Sequence, residues 1–134
     1  MSAAQAIMQT HPRAQSFRLG NTIAAIPASV ISCAAPYYDN QKKKPVSREK
    51  LEEVFLNRIR NILEVAIANE VDNLILGAFG CGAFNNPPKL VAEIFRKLLI
   101  DERYAMYFEK VVFAIKKTGD VCPNYDAFRE VFGD

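Results

Sequence analysis

From residue 29 onward the chain alternates short, continuously apolar runs with longer stretches in which apolar residues return every three or four positions. The first pattern suits strands covered on both faces, and the second suits amphipathic helices. The first run, residues 29–34, reads Ser-Val-Ile-Ser-Cys-Ala and is closed by Pro36. A polar loop at 38–45 follows. Ser47 then has the character of a helix N-cap, with Glu49 in the first turn, where the helix dipole favours a negative charge. Leu51, Phe55, Ile59, Ile62, Leu63 and Ala66 share one face of a helix that this spacing carries to about Asn69.

A second apolar run covers residues 72–78 and leads into a glycine-rich segment, residues 77–86. The next helix has a clear start signal in Asn86 as cap, with Pro87 and Pro88 in the first turn, where proline forfeits no hydrogen bond. Leu90, Val91, Ile94, Phe95, Leu98 and Leu99 form its core stripe. Residues 101–108 read as a short helical turn. The third strand is 111–115, residues 118–120 make a turn, and Asn124 caps a last helix that buries Phe128 and Phe132.

Three strand–helix units of this kind predict an α/β fold with a parallel sheet core and helices on both faces. Ligands in such sheets bind at the carboxyl ends of the strands. The candidate site therefore falls on three loops, at 34–40, 77–86 and 116–124. Ahead of these units lies a loosely determined lead, residues 1–27, in which residues 3–8 can form a short helix and Pro12 and Gly20 punctuate the chain. The domain proper is expected over 28–134.

The segment with chemical content is Gly77-Ala78-Phe79-Gly80-Cys81-Gly82-Ala83-Phe84-Asn85-Asn86-Pro87-Pro88. Three glycines in six residues permit positive φ angles. Successive N–H groups can then converge into an anion-binding concavity beside a helix start. The same composition also fits a turn that serves only packing. It matches neither the dinucleotide fingerprint nor the P-loop. Phe84, just past the bend, can cover a sugar or join the core.

Composition narrows the rest. The 134 residues are 50% hydrophobic and 24% charged, an ordinary globular balance large enough for a core. A net charge of +2 gives no argument for nucleic acid. The one dense basic run, Lys42-Lys43-Lys44, reads as a solvated loop or as added positive potential near an anionic ligand. Cys33, Cys81 and Cys122 are too few and too scattered for a disulfide framework, and with His11 the only histidine no structural zinc site is expected. No run of about eighteen apolar residues and no signal-peptide pattern are present, so the cytoplasm is the expected location. Cys81 reads as a packing cysteine rather than a nucleophile, because no histidine neighbours it in sequence.

The stretch from Asn73 through the glycine loop to Pro87 resembles the diphosphate loop of microbial poly(ADP-ribose) glycohydrolases, within the macrodomain superfamily. The flanks agree: 30–36 resembles that family's strand ending in Ala-Pro, 91–95 its next helix, and 113–115 its last strand. The likeness covers about residues 16–132 and corresponds to the C-terminal half of the family fold. It implies an incomplete three-layer α/β/α macrodomain-like fold. It also implies ADP-ribose, or a related nucleotide diphosphate, as ligand, with no further cofactor. The diphosphate would lie on the backbone of Ala78, Phe79, Gly80, Cys81, Gly82 and Ala83, Phe84 would pack against the distal ribose, and Gly77 and Asn85 complete the ligand-binding segment.

The family's catalytic signature, three glycines followed shortly by Gln-Glu-Glu, is missing; Glu52-Glu53 sits in a helix with no glycine near and reads as a solvated face. No catalytic residue is therefore assigned. The expected function is a non-catalytic ADP-ribose-binding module. The alternatives are a glycohydrolase completed by a partner, and a scaffold whose site has decayed. The resemblance further implies that a strand normally lies between the first two strands here. Uncovered edges invite pairing, which predicts a homo-oligomer or direct pairing of those two strands.

Overall fold

The computed structural model describes residues 28–39, 41 and 46–133, together with the backbone of 7–10, 15–19 and 22–26. The basic run Lys42-Lys43-Lys44, His11, Pro12, Gly20 and residues 3–6 of the expected first helix lie outside the described residues.

Three strand–helix units are present. Strands β1 (Ile7–Thr10), β2 (Gln15–Leu19) and β3 (Thr22–Ile26) precede them. The units themselves are β4 (Ser29–Ser32) with α1 (Arg48–Ala68), β5 (Asn73–Leu76) with α2 (Pro88–Arg96), and β6 (Lys110–Phe113) with α3 (Pro123–Phe132). A π-helical stretch, Lys97–Asp101, prolongs α2, and a 3-10 turn at Tyr104–Tyr107 leads into β6. No helix among the described residues is long and apolar enough to cross a membrane.

The pattern of apolar positions predicts the helices well. Ser47 caps α1 by accepting the Lys50 N–H at 3.2 Å. All six expected face residues of α1 are buried, as are all six of the α2 stripe. All but Ile62 form one core with Leu74, against which Leu76, Val111 and Phe113 pack. Phe113 is ringed by Phe95, Phe128 and Phe132 at centroid distances of 4.9–5.1 Å, so the inner face of β6 is sealed by α2 and α3. The Phe95–Phe113 contact is edge-to-face, a geometry that adds to what simple burial contributes.

Three local expectations are corrected. Ile7 and Met8 belong to a strand rather than a helix, because β1 pairs antiparallel with β4, Met8 opposite Ile31. Asn86 does not cap α2: the cap position is Pro87, which has no side-chain hydrogen bond to offer, and the Asn86 amide is used elsewhere. Asn124 lies inside α3 and not at its cap; Cys122 holds that position, and its N–H is bound by the Asp126 carboxylate at 3.1 Å.

The sheet is divided. β5 and β6 pair in parallel, Asn73 opposite Lys110 and Leu76 opposite Phe113, while among the described residues β4 pairs only with β1 and β2 only with β3. Direct pairing of β4 with β5 does not occur among the described residues. The inward side chain of β5, Leu74, is buried, whereas Ile75 on the opposite face is 72% exposed and its register neighbour Val112 is 38% exposed. Here the layered fold is incomplete.

Candidate functional site

The glycine loop is built from two turns. The Cys81 N–H donates to the Ala78 carbonyl at 3.0 Å, closing a turn whose third residue, Gly80, has φ +74°. That position needs a left-handed conformation, which glycine adopts without strain. A Cβ there would also stand 2.7 Å from Ala35 Cβ and 2.8 Å from Asn86 Nδ2. In the second turn the Asn85 N–H donates to the Gly82 carbonyl at 2.9 Å, and Asn85 itself carries φ 56°.

Positive φ is therefore confined to Gly80 and Asn85. Of the three glycines that permit it, Gly80 alone uses it; Gly77 and Gly82 do not. A Cβ on either would meet nothing within 4 Å. The absence of a side chain at Gly82 leaves the outside of the bend open instead.

The amide inventory of the loop follows from these bonds. The N–H groups of Phe79, Cys81, Asn85 and Asn86 donate within the loop, at 2.9–3.1 Å. Those of Gly82, Ala83 and Phe84, three in succession, have no acceptor among the described residues, and all three residues are exposed. Successive unpaired main-chain N–H groups are the kind of feature through which loops bind anions.

The neighbouring loops are tied to it. Asn86, 2% exposed, donates from Nδ2 to the Pro36 carbonyl at 2.6 Å and to the Gly80 carbonyl at 2.8 Å. The Tyr38 N–H donates to the Phe84 carbonyl at 2.9 Å. From the other side Asn124 Nδ2 donates to the Cys81 carbonyl at 3.4 Å. Arg58 of α1 holds the first loop through the Ala34 carbonyl at 2.9 Å. All three loops expected at the carboxyl ends of the strands thus meet around residues 77–86. The sequence places the loops but not Asn86 and Asn124 as the braces; both have the signature of helix caps, and nothing in the sequence marks bonds to carbonyls 50 and 43 positions away.

Phe84 does not join the core. It is 42% exposed and meets the edge of Tyr37 with ring centroids 6.1 Å apart at 87°. The pair forms an open aromatic ledge beside the free amides. Cys81 is buried beneath the loop, and desolvation pushes its thiol up to about 11. A neutral, buried thiol is a packing group and not a nucleophile at neutral pH. Burial likewise raises Cys33, partly offset by Arg58, while backbone hydrogen bonds from Thr118 and Tyr125 lower Cys122.

This fold is similar to that of solved bacterial proteins. No protein-family profile matches the chain, and neither does any curated protein sequence. Among solved structures, it is similar to poly(ADP-ribose) glycohydrolase from Deinococcus radiodurans in complex with ADP-ribose, at 34% identity and TM-score 0.73, over 81% of this chain and 44% of that one. A variant of the same enzyme, also in complex with ADP-ribose, aligns over 96% of this chain and 52% of its own, at 29% identity and TM-score 0.74. The enzyme from Thermomonospora curvata aligns over 86% and 41%, at 31% identity and TM-score 0.71. The chain is therefore PARG-like, with an incomplete α/β macrodomain-like fold, and it spans about half the length of the chains it matches.

Proposed function

We propose that this chain is an ADP-ribose-binding module whose glycine loop holds the diphosphate. The observation that carries the reading is the run of three free amides at Gly82, Ala83 and Phe84, in a loop braced from both sides. Main-chain N–H groups fixed in advance lose little conformational entropy on binding, and an anion seated on them needs no lysine. Phe84 and Tyr37 offer an apolar ledge that suits the distal ribose, leaving its hydroxyls free. The Deinococcus neighbours hold ADP-ribose, which supports the choice of ligand.

In this reading the protein binds but does not cleave by itself. The sequence offers no glycine run with Gln-Glu-Glu, and no carboxylate of the described loops stands in a general-acid role. Titration calorimetry tests the proposal: ADP-ribose should give saturable heat that AMP and ribose-5-phosphate together do not reproduce. No heat at high micromolar ligand would remove it, and release of ADP-ribose from a poly(ADP-ribosyl)ated substrate by the purified chain would replace it with an active hydrolase.

A further inference from the structure

Tyr37 and Tyr38 are adjacent yet serve different surfaces. Tyr38 packs against the core, whereas Tyr37 is exposed and its ring contact is Phe84. The planes of those two rings stand at 87°, with centroids 6.1 Å apart. Backbone holds them there. The Tyr38 N–H donates to the Phe84 carbonyl at 2.9 Å, and the Asn86 side chain ties Pro36 to Gly80. A ring as open as that of Tyr37 contributes little to the fold, since most of its apolar surface stays in water. Its placement against Phe84, beside the free amides of Gly82 and Ala83, gives it a part in recognition instead.

The inference rests on the ADP-ribose reading, in which the amides take the diphosphate and Phe84 takes the distal ribose. A second ring set against Phe84 is then within reach of whatever C1 of that ribose carries. In a nucleoside the base stands roughly perpendicular to the mean plane of its sugar. Two protein rings at 87° offer faces in the same relation, one for the sugar and one for the base. A hydroxyl or an aliphatic group on C1 gains little from an aromatic face, whereas a planar ring gains a stacking contact. We infer that the preferred ligand is a dinucleotide of the NAD+ type, whose distal ribose bears a heteroaromatic ring, with Phe84 against the ribose and Tyr37 against the nicotinamide. The positive charge of the oxidised nicotinamide adds to its attraction for the tyrosine face.

Titration calorimetry at one salt concentration compares NAD+ with ADP-ribose. NAD+ should bind about tenfold more tightly, as one added ring stack predicts. In proton magnetic resonance the nicotinamide signals should move upfield on binding, through the ring current of Tyr37. Tyr37→Ala should fold like the parent, as circular dichroism can verify, because the ring is exposed. It should bring the two affinities within about twofold of each other and abolish the upfield shift, and Tyr37→Phe should restore both. Three results would overturn the inference and leave the ADP-ribose reading standing: ADP-ribose bound as tightly as NAD+ by the parent, a preference for NAD+ that survives Tyr37→Ala, or nicotinamide signals that do not shift at saturation. Failure of both nucleotides to bind would remove that reading and the inference with it.

Discussion

Asn86 grips Gly80 twice: its backbone N–H and its side-chain Nδ2 both donate to the Gly80 carbonyl, at 3.1 and 2.8 Å, while Nδ2 also reaches Pro36. One buried amide therefore fixes the bend of the glycine loop and its distance from the first loop. Asn86→Ala leaves the Pro36 carbonyl without this donor and the Gly80 carbonyl with the backbone N–H alone, a cost of about 1–3 kcal/mol. A lowered denaturant midpoint with unchanged slope should report it. Asn86→Asp should be at least as damaging, because carboxylate oxygens would face two carbonyls.

Gly80 and Gly82 should respond differently to the same change. Gly80→Ala places a methyl group 2.7 Å from Ala35 Cβ at a positive φ. Left-handed backbone costs an L-residue about 1–2 kcal/mol, and overpacking adds about 1–3. Gly82→Ala meets open space and should leave thermal stability within about 0.5 kcal/mol of the parent. Gly82→Val should keep the fold yet weaken ADP-ribose binding, since its branches crowd the free amides. Equal stability losses at both positions, measured by urea unfolding, would contradict this division.

Phe84→Ala separates ledge from core. The ring is half exposed and its aromatic contact is Tyr37, itself 63% exposed. Stability should fall by less than about 1 kcal/mol, whereas affinity for ADP-ribose should fall by roughly tenfold if the ring covers a ribose. A large melting shift with unaltered affinity would assign the ring to packing.

Cys81 sets an alkaline limit. Its folded thiol titrates near 11 against 9.0 for the ordinary group, because burial penalises the thiolate. Between those values the unfolded chain has released the proton and the folded chain has not. Stability is thus unaffected below the unfolded value and declines as pH rises from about 9 toward 11. Cys81→Ala should flatten that decline in urea midpoints measured across the range, while costing something at neutral pH for the atoms removed. Iodoacetamide at pH 8 should leave Cys81 unmodified in the folded protein.

The sequence was most legible where structure is local and periodic. Leu51 through Ala66 repeat at helical spacing over many turns, and Ser47 caps its own helix three residues on. The glycine loop was legible as a loop because its composition is unusual. What escaped was non-local. Asn86 before two prolines has the signature of a cap, yet its amide serves a carbonyl fifty residues back. Ile7 and Met8 read as helix because their strand exists only through β4. The gap between β4 and β5 arises because neither strand pairs with the other, and a list of apolar runs carries no information on pairing. Of the three glycines only Gly80 uses positive φ, which spacing alone does not single out, and a Cβ at Gly82 meets open space.

The central claim is that main-chain amides of the bend hold the diphosphate, and amide-resolved magnetic resonance addresses it directly. On adding ADP-ribose to the isotope-labelled chain, the N–H signals of Gly82, Ala83 and Phe84 should move downfield together and saturate. Those of Phe79 and Cys81, already bonded inside the loop, should move little. Saturable shifts confined to another surface, or no shift at these three amides at millimolar ligand, would contradict the account.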